Sequence, residues 1–77
     1  MTTGAAFGTI MRKHRHLKRL SQEQVADESG LDRTFISMLE RGVRQPSLET
    51  ILRIGRCLSV PASQLVQEVE QLLHENE

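Results

Sequence analysis

Every apolar repeat in this chain has the spacing of an α-helix, and none alternates as a half-buried strand does. Phe7, Ile10, Met11, His14 and Leu17 fall at i, i+3, i+4, i+7 and i+10, one stripe flanked by basic residues. That spacing predicts a first helix over about Ala5–Lys18. Ser21-Gln22-Glu23-Gln24 then has the form of a capping box, with Ser21 covering a free N–H group and Gln24 reaching back to it. A short second helix over Gln22–Ser29 follows, with Val25 and Ala26 inward, and Gly30 suits the left-handed residue that ends it. Leu31 plugs the turn. Asp32 is placed to cap a third helix, Arg33 to about Arg41, with Ile36 and Leu39 inward and Gly42 as its stop. Beyond a loop containing Pro46, Ser47 caps a fourth helix over Leu48–Leu58, expected to bury Leu48, Ile51, Leu52, Gly55 and Leu58. Pro61 fits the first turn of a fifth, over about 61–74, carrying Leu65, Val66, Val69, Leu72 and Leu73.

The expected fold is therefore all-α, a compact bundle of five helices. Two Phe, no Tyr and no Trp leave an aliphatic core, which argues against a small barrel or sandwich. Seventy-seven residues hold one domain, 1–77, and no separate catalytic lobe. Cys57 has no disulfide partner and reads as a small core residue, while His14 and His16 lie two apart and share no helix face, so no metal site is expected. Gly-rich phosphate loops and Ser/His/Asp arrangements are lacking; neither an enzyme nor a cofactor is expected. The segment Met1–Met11 carries no basic residue to open a signal peptide, and no apolar run could cross a bilayer. A cytoplasmic chain of bacterial, phage or plasmid origin, without a membrane partner, is the expectation.

The net charge of zero hides an asymmetry. Up to Arg44 there are eight Lys/Arg against five Asp/Glu, and after it two against five, so the halves carry +3 and −3. Such a chain does not coat nucleic acid indiscriminately but can present one basic face. The stretch Gln22 to Arg41, two short helices about a Gly-containing turn, has the organisation of a helix-turn-helix. Arg33, Thr34, Ser37 and Met38, with Arg41 at the end, remain outward on its second helix. A helix of this kind fits the major groove of B-DNA, where its N-terminal side chains reach base edges. The alternative is an αα-hairpin with a merely solvated face.

The stretch LSQEQVADESGLDRTFISMLERGVRQPSLETILRIGRCLSV resembles the lambda-repressor-like (Cro/CI-type, XRE) helix-turn-helix DNA-binding family, from about Ile10 to Leu65. In size and in its LDRTFIS turn the chain is similar to the controller proteins of restriction-modification systems. The resemblance implies a transcriptional regulator, often a repressor, that binds double-stranded DNA as a two-fold homodimer on a palindromic operator. It places base reading on Arg33, Thr34, Ser37 and Met38, Arg33 being suited to guanine O6 and N7. Gln22 falls at the position that bonds a phosphate; Arg41 and Arg44, beside the loop before the fourth helix, and Phe35, at the rim, are further backbone candidates. Arg15 and Glu40 fall at the positions of a buried structural ion pair.

A single recognition helix reads too few base pairs to select a site, so two copies are expected to act together. The apolar stripe of the fifth helix, with the end of the fourth, is the expected dimer surface: Leu65 and Val66 toward the core, Val69, Leu72 and Leu73 toward the partner. Glu23, Asp27 and Glu28 form an acidic edge that is either solvated or a contact for RNA polymerase. Glu68, Glu70, Glu75 and Glu77 are expected on a solvated face. The competing function is a protein-interaction or antitoxin-like module on the same scaffold.

Overall fold

A computed structural model describes all residues, Met1–Glu77, as five helices and no strands: α1 (Thr3–Leu17), α2 (Gln22–Ser29), α3 (Arg33–Glu40), α4 (Leu48–Leu58) and α5 (Ala62–Glu75). α1 runs through the centre, packing on α3 along one side and α5 along another; α2 packs on α3 and α4, and α4 on α5. The shared core is aliphatic apart from Phe7, and draws on Ala6, Ile10 and Met11 of α1, Val25 and Ala26 of α2, Ile36 and Leu39 of α3, Ile54 and Leu58 of α4, and Leu65 and Val69 of α5.

Local chemistry explains most helix ends. Ser21 Oγ accepts from Gln24 N while Gln24 Oε1 accepts from Ser21 N, a complete capping box. Gly30 and Gly42 adopt φ of +71° and +76°, the left-handed region where a Cβ is costly. Ser47 Oγ accepts from Thr50 N to open α4. α1 starts earlier than its apolar stripe, because Thr2 Oγ1 accepts from Ala5 N. Gly4 and Gly8, which look like breakers, are buried within it. Gly8 allows a close approach: an added Cβ would lie 2.6 Å from the Glu40 carbonyl oxygen and nearer still to that of Leu39. Asp32 occupies the N-cap position of α3 in extended conformation, but its exposed carboxylate accepts no cap hydrogen bond, contrary to expectation.

Four other expectations change. Leu17, at the last turn of α1, is 72% exposed rather than part of the core stripe. α4 is rotated from the expected phase: Thr50, Ile54, Gly55 and Leu58 face inward, leaving Leu48 71% and Leu52 43% exposed and Ile51 half-buried. α5 is rotated likewise. Leu65 is fully buried, but Val69 belongs to the core at 7% exposure and Val66 is exposed at 41%. Leu65, Val69 and Leu72 fall at i, i+4 and i+7, one stripe on the core side of α5, and Val66 lies off it. Leu72 and Leu73 are half-buried against the core. Of the three residues expected to meet a partner, Val69 is thus used within the chain, while Leu72 and Leu73 keep part of their surface open.

Glu68 is not on a solvated face. Its carboxylate takes Lys13 Nζ, His14 Nε2 at 3.0 and 3.1 Å, and Gln64 Nε2 at 2.9 Å, tying α5 to α1. Burial alone would raise this carboxyl; the hydrogen bonds from Lys13, Gln64 and His14, with the charge of His14, outweigh it and hold the pKa down at about 2. Lys18 bridges elsewhere, donating to Cys57 O at 2.8 Å and Ser59 Oγ at 2.9 Å, where the last carbonyls of α4 lack helical partners. No helix is long and apolar enough to cross a membrane.

Candidate nucleic-acid interface

α3 is only eight residues long, and two of them are fully buried. Ile36 and Leu39 are sealed into the core, which fixes the rotation of the helix and decides what it shows outside. Arg33 and Thr34 on its first turn are exposed; Phe35, Ser37 and Met38 are half-buried; Arg41, just past its end, is exposed. Met38 thus has less of its side chain available than Arg33 or Thr34. The close packing of α1 at Gly8 holds the far end of α3, so the helix is supported along its length.

The cations sort themselves by partner. Lys13 and Arg53 are paired with carboxylates, and Lys18 is spent on the end of α4. Arg15, buried, grips Glu40 with two nitrogens: Nη2 donates to Oε1 at 2.9 Å and Nε to Oε2. Its Nη1 donates to Leu20 O at 2.9 Å and its Nη2 also to His16 Nε2 at 3.3 Å. Much of the basic cluster on α1 is therefore internal glue rather than outward charge. Six arginines have no carboxylate within ion-pair distance, Arg33, Arg41 and Arg44 on or just after α3 and Arg12, Arg19 and Arg56 on or beside α1 and α4, and the one acid within α3, Glu40, is neutralised by Arg15. Of the acids without a cation partner, Glu70 and Glu75 sit on α5, which packs on α1 and α4 rather than α3, while Glu23 and Asp27 are exposed on α2 and Asp32 at the start of α3.

The residues flanking α3 complete the surface. Arg44, in the loop between α3 and α4, lies over the Phe35 ring at 5.9 Å, a cation–π contact that joins two of the expected backbone residues. Gln22 opens α2, and its Nε2 donates to Glu40 Oε1 at 3.1 Å. The sequence shows neither link, since each joins residues far apart in the chain. Around the turn, then, are three guanidiniums without an ion-pair partner, with hydroxyl and amide groups among them and exposed acids at Glu23, Asp27 and Asp32; the cations and amides are groups that can engage a polyanion with readable edges.

A polar cleft of about 640 Å³ between α2 and α4 is lined by Lys18, Glu28, Ser29, Glu49, Arg53, Arg56 and Cys57. Cys57 donates to Glu28 Oε2 at 3.4 Å. Burial, that bond and the Glu28 charge push the thiol up to about 11 against the opposing pull of Lys18, so it stays protonated and weakly nucleophilic. No group of three or more His, Cys, Asp or Glu side chains is placed to hold a metal ion.

Comparison with known proteins agrees with this geometry. The family model described as Helix-turn-helix matches residues 11–65. The control protein C.BamHI of Bacillus amyloliquefaciens is 43% identical over 61 residues, 78% of this chain and 75% of that protein. The crystal structure of the restriction-modification controller protein C.AhdI from Aeromonas hydrophila superposes with a TM-score of 0.78 at 40% identity, covering 80% of this chain and 94% of that one. Longer proteins share the segment too: the chain spans 41% of the length of an uncharacterised HTH-type transcriptional regulator of Mycobacterium tuberculosis, to which it is 34% identical over 58 residues and 75% of its own length. The matched segment takes in α2, α3 and α4 entire and more than half of the chain, which belongs to the helix-turn-helix family of DNA-binding transcriptional regulators.

Proposed function

We propose that this protein is a sequence-specific regulator that binds a palindromic operator as a two-fold dimer, with α3 of each subunit in the major groove, and that it serves as an autoregulatory controller of a restriction-modification system. The observation that carries the DNA reading is the set of guanidinium groups without an ion-pair partner around α3, Arg33, Arg41 and Arg44, with the one acid inside that helix, Glu40, neutralised by Arg15. Arg33, on the first turn, reads guanine by a bidentate contact; Thr34 and Ser37 offer hydroxyls to base edges, and Met38 packs its exposed end on a thymine methyl. Arg41, Arg44 and Gln22 bind phosphates, and Phe35 holds the Arg44 guanidinium beside the backbone. The likeness to control proteins in sequence and to a restriction-modification controller in structure supports the cellular role.

The rotation of α4 and α5 supports a different dimer surface from the Val69 stripe. Leu48 and Leu52 stand one turn apart on α4, Val66 one turn beyond Ala62 on α5, and all three are exposed. A groove of about 370 Å³ between the two helices, lined in part by Leu52, Val60, Pro61 and Ala62, runs beside them. Leu48 adjoins the loop carrying Arg44, so a two-fold axis here sets the two loops side by side with an α3 on either flank. That is the arrangement a palindrome requires, with half-sites about 34–36 Å apart.

Selection of duplexes from a random library, followed by binding to single-base variants of the winner, tests the proposal. We expect a palindromic winner, affinity that falls steeply with salt, and Arg33→Ala to cost about 1–3 kcal/mol while flattening preference at one position per half-site. Arg44→Ala should weaken all duplexes alike. No enrichment over random DNA would favour a protein-interaction module instead.

A further inference from the structure

The geometry points to Glu40 as a positioning residue for backbone recognition: its carboxylate orients the Gln22 amide so that one N–H is held inside the protein and the other is presented to a DNA phosphate. This rests on the DNA-binding reading above and assigns Glu40 a part in it beyond its pairing with Arg15. Oε1 of Glu40 accepts from both Arg15 Nη2, at 2.9 Å, and Gln22 Nε2, at 3.1 Å, while Oε2 is taken by Arg15 Nε. The carboxylate is almost sealed from solvent, its side chain 4% exposed, and the Arg15 fork fixes its plane. Arg15 in turn bonds Leu20 O, the residue before the Ser21 cap of α2. The frame that holds Glu40 is thus built into the start of the helix that carries Gln22.

The chemistry decides which way the amide faces. A carboxylate has only acceptor oxygens, so it repels the Gln22 amide oxygen and admits only the NH₂ group. A planar NH₂ carries two hydrogens directed well apart, so bonding one to Glu40 leaves the other aimed elsewhere. Gln22 is half-buried at the first position of α2, which leaves that second hydrogen a route to solvent. A free glutamine would lose rotamer entropy when it closed on a phosphate; here the ordering is already complete in the free protein. Arg15 satisfies Glu40 by two bonds whether or not Gln22 is present, so the Gln22 bond is not needed to neutralise the acid. What it supplies is register, because Glu40 is the last residue of α3, and the phosphate donor on α2 is thereby fixed relative to the base-reading helix.

The test uses the full chain and its selected palindromic duplex, intact or with a neutral methylphosphonate replacing one phosphate at a time. We expect Gln22→Met, which removes both N–H groups, to weaken binding about tenfold. One methylphosphonate position per half-site should cost the wild type a similar factor and cost Gln22→Met nothing. Glu40→Gln should become insensitive at that same position, and the double variant should bind no more weakly than Glu40→Gln alone. Losses that multiply, or a penalty at that position that persists in Glu40→Gln, would overturn the assignment. Because Glu40→Gln deprives buried Arg15 of its partner and endangers the fold, the wild type gives an independent reading. Its Gln22 side-chain amide should show one shifted, exchange-protected proton in the free protein and a second only after operator is added. Two freely exchanging protons before addition would overturn it as well. A wild type that selects no duplex at all removes the DNA reading and this inference together, whereas operator binding with multiplicative losses removes the inference alone.

Discussion

Gly8→Ala should destabilise this protein, although alanine is the better helix former. In an open position on a helix the change would gain about 1 kcal/mol from propensity alone. At Gly8 the new methyl would stand 2.6 Å from the Glu40 carbonyl oxygen and 2.9 Å from its carbon, with the Leu39 carbonyl oxygen closer still. Comfortable contact begins near about 3.5 Å, so α1 and the end of α3 would have to separate by roughly 1 Å. All three obstructing atoms are backbone, and no rotamer change can clear them. Overpacking of this kind costs about 1–3 kcal/mol, and the rigid neighbours place it at or beyond the upper end. After the propensity gain the net loss should be about 2 kcal/mol, a fall in Tm of roughly 10–15 °C for a domain this small. Urea unfolding followed by circular dichroism measures it directly. Gly4→Ala is the internal control: there the nearest atoms lie at 3.3 and 3.4 Å, one of them Cγ of the flexible Gln45 side chain, and the effect should be small. A Gly8→Ala protein as stable as wild type would refute the close approach of α1 to α3.

Three further outcomes follow from the rotation of α4 and α5 and from Glu68. Val69→Glu places a carboxylate in the core and should cost several kcal/mol, enough to abolish the native state. Val66→Glu and Leu52→Glu should instead stay folded by circular dichroism yet sediment as monomers with reduced operator affinity. For Glu68, the folded pKa of about 2 lies below the ordinary 4.5, so its stabilisation is complete above about 4.5 and is lost as pH falls toward 2. Discounted for the exposure of Lys13, that amounts to about 1–2 kcal/mol. Glu68→Gln should flatten this part of the acid limb in urea midpoints taken across it; an unchanged slope would show the cluster to be immaterial.

Helix ends were legible wherever one or two neighbouring residues decide them. The Ser21 box, Gly30, Gly42 and Ser47 act within three or four residues of themselves, and all behave as their chemistry dictates. Rotation about the helix axis was not legible for α4 and α5. Leu48, Ile51, Leu52, Ile54 and Leu58 offer more than one apolar stripe, and only packing against the other helices selects among them. Asp32 marks a limit of capping rules, having the right residue and backbone but a side chain turned to solvent. α3 read well because its two buried residues leave one possible outward face. Partnerships such as Gln22 with Glu40 or Lys13 with Glu68 join residues 18 and 55 positions apart, and no local pattern announces them.

The disposal of charge has a consequence for how the molecule meets its target. With zero formal net charge it feels no overall pull from a distant polyanion. Up to Arg44 the chain carries +3 and beyond it −3, and α5 has no Lys or Arg, so its charge is unevenly divided, and an uneven distribution in a field gradient experiences torque. Near a phosphate backbone the protein is turned before it is captured. Orientation of this kind shortens the rotational search for a productive encounter without the lingering adhesion that a highly cationic protein suffers on every stretch of nucleic acid it passes.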